Sequence, residues 1–123
     1  MNKRDKRVFQ KILKYCGQIA GTHKIFQDNK ALFYDEEAGY AYRNAIAMPI
    51  LQIGELSKAL TQEMRQLHPD IPWSWIVGMR DIAVHHSGAL DYEKAWNTSR
   101  NDVPALEEKV RIILEVEAEE NEL

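Results

Sequence analysis

Cysteine is almost missing from this chain, with Cys16 the only one in 123 residues. No disulfide can close within one molecule, and a reducing compartment is the expectation. Long apolar runs are missing too, so no segment has the length needed to span a bilayer, and a cytoplasmic protein with no membrane partner is expected. The opening MNKRDKRVFQ is charged and holds no apolar h-region, so it does not read as a signal peptide. Strand-like alternation, internal repeats and low-complexity linkers are likewise absent. Positive charge is in deficit: the formal net charge of -3 excludes a broad nucleic-acid binder held by bulk attraction.

What is present fits one globular domain over residues 1–123, with 45% apolar and 28% charged residues, too apolar for a disordered chain. Charge is uneven. Lys3, Arg4, Lys6, Arg7, Lys11 and Lys14 crowd the start, while Glu115, Glu117, Glu119, Glu120 and Glu122 crowd the end. The simplest account is two solvated helix ends, so any contact with nucleic acid must be local, built from a few basic groups around a cleft.

The apolar spacing is helical throughout. Val8, Ile12, Tyr15, Cys16, Ile19, His23 and Phe26 share one face of a first helix, and Asp28-Asn29 breaks it. A second stretch runs over residues 32–60 through Tyr42, Ile46, Ile50 and Ile53. A parallel stripe of Ala38, Ala41, Ala45 and Met48 marks it as central. Pro49 predicts a kink there or two shorter helices. Thr61 caps a short helix, and residues 68–72, with Pro69 and Pro72, form a turn. Trp75, Ile76, Met79, Ile82 and Ala83 make one stripe of the next helix, which Ser87-Gly88 ends. Asp91 opens a short helix anchored by Trp96, and Asp102-Val103-Pro104 reads as a further start. The last helix buries Leu106, Val110, Ile113 and Leu114 before an acidic tail expected to fray. The fold class is therefore all-α, a bundle of five or six helices.

One polar cluster stands out for chemistry, Arg80-Asp81-Ile82-Ala83-Val84-His85-His86-Ser87. At about 100° per residue, Arg80 and His85 sit roughly 140° apart around a helix, so one straight helix does not bring them to one atom. Asp81 and His85 are four apart, so the carboxylate can hold the imidazole and favour its charged form. Arg80 and Ser87 are nearly aligned. Adjacent His85 and His86 diverge by about 100°, and no Glu-x-x-His or Cys-x-x-Cys accompanies them, so neither a metal site nor a cofactor is expected. His86 falls on the apolar stripe and reads as a core or interface residue.

The runs IGELSKAL (53–60), HPDIPWSWIVGMRDIAVHH (68–86) and ALDYEKAWNTSRNDVPAL (89–106) resemble the HepT toxin family of the MNT/HepT toxin–antitoxin systems, part of the HEPN class of helical ribonucleases. The resemblance covers about residues 54–114. It implies a HEPN-like homodimer in which Arg80 and His85 match the Arg-x-x-x-x-His catalytic pair, with Asp81 where a polar residue follows the arginine. It also implies metal-independent cleavage of RNA by attack of the ribose 2′-hydroxyl, in a cleft shared by two protomers, and neutralisation by an MNT-type nucleotidyltransferase antitoxin. A shared cleft answers the angular divergence of Arg80 and His85.

Ser87 departs from the family, which often carries there the tyrosine that its antitoxin modifies with AMP. Serine keeps a hydroxyl, so Ser87 stays the modification candidate as well as an ordinary helix-end residue. Gly54 permits close helix packing, and Glu55 beside it is either solvent-facing or a cleft residue partnering an arginine. Trp73, Trp75 and Trp96 are expected to be buried, and Cys16 inert. A rival reading of the same fold is a non-catalytic helical dimer that only binds or regulates a partner nucleotidyltransferase.

Overall fold

A computed structural model describes residues 1–79 and 90–122, and all of its regular structure is helical. Helix α1 spans Lys3–Ile25, α2 Lys30–Tyr34, α3 Tyr40–Lys58, α4 Gln62–Leu67 and α5 Trp73–Val77. After residue 90 come α6 (Tyr92–Asn97), a single π turn (Thr98–Asp102) and α7 (Val103–Glu122). The last three run on without interruption and make one rod, so the described residues form six rods, matching the bundle expected from the spacing. Among the described residues, no helix is long and apolar enough to cross a membrane.

Three long helices hold the core between them. Phe9, Ile12, Cys16 and Ile19 of α1 meet Ile46, Ile50 and Ile53 of α3 and Val103, Leu106 and Val110 of α7, all buried. Each large aliphatic group taken out of water contributes about 1.5–3 kcal/mol. Helix α1 ends where the sequence placed its break. Gln27 and Asp28 take positive φ of 57° and 52°, and the Asp28 amide donates back to the His23 carbonyl at 2.8 Å. At the other end, buried Asp5 accepts from the Thr61 amide at 3.1 Å and the Thr61 hydroxyl at 2.8 Å, tying the start of α1 to the cap of α4.

Several expectations need correction. The stretch 32–60 divides at residues 35–39 and not at Pro49, which lies buried inside α3. The division is built by side chains: the Asp35 carboxylate accepts from the amides of Glu37 and Ala38, which also holds its pKa below the usual range. Arg43, only 5% exposed, then gathers three carbonyls, those of Phe33 (2.7 Å), Asp35 (2.6 Å) and Glu36 (3.2 Å). Gly39 is required there, because a Cβ would collide with the Leu32 and Asp35 carbonyls and the Arg43 guanidinium. Ala38 is exposed in the 35–39 turn, while on α3 Ala41 and Met48 face solvent and Ala45 is half-buried; alanine serves in that helix as a helix former.

Asp102-Val103-Pro104 does open α7 at Val103, but the helix continues the α6 rod and does not start afresh. The Val103 amide donates to the Thr98 carbonyl, five residues back, and this wider turn accommodates Pro104 in a continuing rod. The acidic tail stays helical to Glu122, with Glu117 buried and 3.5 Å from the Met1 ammonium. Trp96 is buried and Trp73 half-buried, but Trp75 is exposed.

Candidate active site

Arg80, Asp81, His85, His86 and Ser87 lie in the stretch 80–89, outside the described residues. What the structure shows is how the two flanks of that stretch are fixed. Upstream, the Trp73 indole donates to the carbonyls of Arg65 (2.9 Å) and His68 (3.0 Å), closing the turn between α4 and α5. Its ring leans on Phe9 at 6.5 Å between centroids. Ile71, Ile76 and Met79 are buried, so the upstream flank is packed through residue 79.

Downstream, Asp91 caps α6 by accepting from the Lys94 amide at 3.0 Å. The Tyr92 ring lies under the Arg43 guanidinium, 4.1 Å from its centroid, in cation–π geometry. The same guanidinium that closes the 35–39 turn therefore also holds the first residue of α6. Trp96, one turn on, enters a cluster with Phe33 (5.1 Å), His23 (5.1 Å) and Tyr42 (6.1 Å).

Glu55 is the one expected site residue that the structure describes. It is exposed on α3 and 3.2 Å from Lys58. Gly54 beside it is buried, as close packing requires.

The flank at Met79 opens onto an apolar groove. A cavity of about 290 Å³ lies between α5 and α7, lined by Trp75, Met79, Asp102 and Leu106 among others. Burial raises the Asp102 carboxyl above its usual value. Lys109 donates to the Asp70 carbonyl at 2.6 Å and separates this groove from a second one, of about 390 Å³. Leu67 (63% exposed), Ile112 (49%) and Val116 (46%) line that second groove. Exposed apolar side chains thus follow α7 from the motif flank to the acidic end, a pattern typical of a face that another surface covers.

His23 was expected only as part of the α1 stripe, and the structure gives it more to do. It is 4% exposed, with Nδ1 2.5 Å from the Tyr42 hydroxyl and Nε2 2.8 Å from the Ser99 hydroxyl. Burial lowers its pKa, Arg100 lowers it further, and Asp28 opposes them weakly. Burial also pushes the Tyr42 hydroxyl up to about 12. A histidine on an apolar stripe is the only signal the sequence offered, because its partners come from residues 42 and 99. Cys16 lies two turns back on the same face of α1, its thiol raised to about 12 chiefly by burial. Among the described residues no cluster of histidine, cysteine and carboxylates could hold a metal.

Comparison with known proteins agrees with the motif. Residues 9–113 match the family model described as "Ribonuclease HepT-like". A candidate RNase of Methanocaldococcus jannaschii is 27% identical over 114 residues, 92% of this chain and all of that protein. A second candidate RNase of that organism is 30% identical over 131 aligned positions, spanning both chains in full. A candidate ribonuclease HepT of Thermococcus cleftensis is 39% identical over 57 residues, 46% of this chain and 52% of that one. No solved structure matches.

Proposed function

The chain belongs to the HepT-like ribonuclease family, and from that we propose that it is a metal-independent RNA endonuclease and the toxin of a toxin–antitoxin pair. The observation that carries this reading is the Arg80-x-x-x-x-His85 motif standing inside the matched residues 9–113. His85 takes the proton of the ribose 2′-hydroxyl; the freed oxygen attacks the adjacent phosphorus, and the 5′-oxygen leaves with a proton, ending one strand in a cyclic phosphate. Arg80 holds the phosphate oxygens and stabilises the charge that builds on them in the transition state. DNA lacks the attacking hydroxyl and is spared.

Two protomers form the working cleft. Support comes from the divergence that Arg80 and His85 would have on one straight helix and from exposed Trp75, which lines an apolar groove with buried Met79 just before Arg80. Asp81 orients His85, and a nucleotidyltransferase partner neutralises the enzyme in the cytoplasm. Glu55, exposed on α3 and 3.2 Å from Lys58, is a supporting residue of the site.

Purified protein is expected to cut single-stranded RNA in excess chelator. His85→Ala and Arg80→Ala should each lose on the order of 10²–10⁴ in rate. Mixing the two inactive variants should restore part of the activity if one site draws on both protomers. Cleavage that stops with chelator and returns with added metal would refute the mechanism. A folded wild-type dimer that cuts no RNA would leave the rival, a non-catalytic partner module.

A further inference from the structure

The hydrogen bonds around His23 have a direction. Ser99 has one hydroxyl proton, and it is donated to the Trp96 carbonyl at 2.9 Å. Its oxygen must then accept from His23, so Nε2 carries the imidazole proton. Nδ1 is left with its lone pair and accepts from the Tyr42 hydroxyl. The chain runs one way, from Tyr42 through His23 and Ser99 to Trp96, and joins α3, α1, the π turn and α6.

Every link is buried, with His23 and Ser99 on the wall of a cavity of about 330 Å³. Tyr42 is fully buried, stacked on Phe26 at 4.5 Å and edge-on to Phe33 at 5.1 Å; Ser99 is 2% exposed. A second proton on His23 would turn Nδ1 into a donor facing the donor hydroxyl of Tyr42. The Tyr42 proton would then lose the acceptor it now has, and a cation would sit in the core. The charged groups nearby offer little relief. Arg100 on the π turn opposes a second cation and is itself paired with Asp28 at 2.5 Å. Lys24 follows on α1, Glu107 of α7 lines the adjoining cavity, and Lys30 sits 6.0 Å over the Trp96 ring.

We infer that His23 is a positioning residue: as a neutral imidazole protonated on Nε2 it fastens α6 and the π turn to α1 and α3, and so sets where the chain resumes after residues 80–89. In its effect on catalysis this rests on the ribonuclease reading above. His23 touches no substrate. It acts through Trp96 and the α6 rod, whose first residue, Tyr92, stands three positions after the stretch that carries Arg80 and His85.

His23→Gln separates this role from simple packing, because an amide can accept from Tyr42 and donate to Ser99 but does not titrate. His23→Phe fills the space without either bond. Nitrogen NMR of the imidazole at neutral pH should show a neutral ring with Nδ1 as acceptor. The wild-type unfolding constant, measured relative to His23→Gln, should rise by up to tenfold per pH unit below about 6.5, because the unfolded imidazole takes its proton first. Above that pH the ratio should be flat. Amide exchange in residues 92–97 should quicken in His23→Phe and return in His23→Gln. In RNA cleavage His23→Phe should lower kcat on the order of 10–100-fold with little change in KM, and His23→Gln should restore it.

A proton on Nδ1, a charged ring at neutral pH, or equal pH dependence in wild type and His23→Gln would overturn the assignment. Unchanged exchange and kcat in His23→Phe would overturn the positioning role. Should His23→Phe fail to fold, the tautomer and the pH comparison with His23→Gln still decide. If the wild-type protein cuts no RNA, the ribonuclease reading falls, while exchange in residues 92–97 still reports on the anchoring.

Discussion

Arg43→Met should be among the most damaging substitutions outside the aliphatic core. The guanidinium serves three carbonyls and one ring, and these losses differ in kind. The Phe33 carbonyl bond is buried, so its acceptor is stranded at a cost of about 2 kcal/mol. Asp35 and Glu36 are exposed, and water can replace the arginine at their carbonyls, leaving about 1 kcal/mol lost between them. Losing the cation over Tyr92 costs about 1 kcal/mol at this half-buried position. The methionine stem recovers some packing, so the net is about 3 kcal/mol, a large share of a total of roughly 5–15 kcal/mol. In urea, with a slope of about 2 kcal/mol per molar, the midpoint should fall by about 1.5 M with the slope unchanged. Arg43→Lys keeps the charge but reaches fewer acceptors, and should lose about 2 kcal/mol. A midpoint shift under about 0.5 M for Arg43→Met, at the same assumed slope, would show that the guanidinium does not hold this turn.

Two further outcomes are expected. Cys16 should resist thiol reagents in the native state across neutral and mildly alkaline pH, since burial holds its thiol near 12; labelling at the rate of a free thiol without unfolding would contradict the packing of α1 on α7. In co-expression with a nucleotidyltransferase partner and ATP, Ser87 should carry little or no AMP, because an aliphatic hydroxyl is far less acidic than tyrosine's, whose pKa is about 10. Stoichiometric AMP on Ser87 by mass spectrometry, with inhibition lost in Ser87→Ala, would reverse that expectation.

How much of this was legible beforehand follows from the range of the interactions. The α1 stripe, the break at Asp28-Asn29, the Thr61 cap and the turn at 68–72 are local, so spacing and residue type were enough. The division of the 32–60 stretch was misplaced because Pro49 is a local signal, while the real device is a buried arginine reaching back ten residues to Phe33. Nothing in a helical period distinguishes that arginine from a solvent-facing one. The π turn escaped for a related reason: Pro104 marks where α7 begins, but no local signal shows that a widened turn joins it to α6. Of the candidate site, Glu55 alone lies in the described residues, and Arg80 and His85 were legible as a motif without being placed. The His23 chain was out of reach, since it joins residues 19 and 76 positions apart.

Those separations have a consequence for the order in which the molecule can be finished. Helix α1 is the first made, yet Asp5 waits for Thr61 and His23 for Ser99. At roughly 5–20 residues per second, the 76 residues between His23 and Ser99 take about 4–15 s to synthesise. Throughout that interval the apolar face of Phe9, Ile12 and Ile19 has no α7 to lie against, and a bare amphipathic helix is an invitation to aggregate. The basic residues crowded into the first fourteen positions give copies of that helix like charge, and like charge opposes their association.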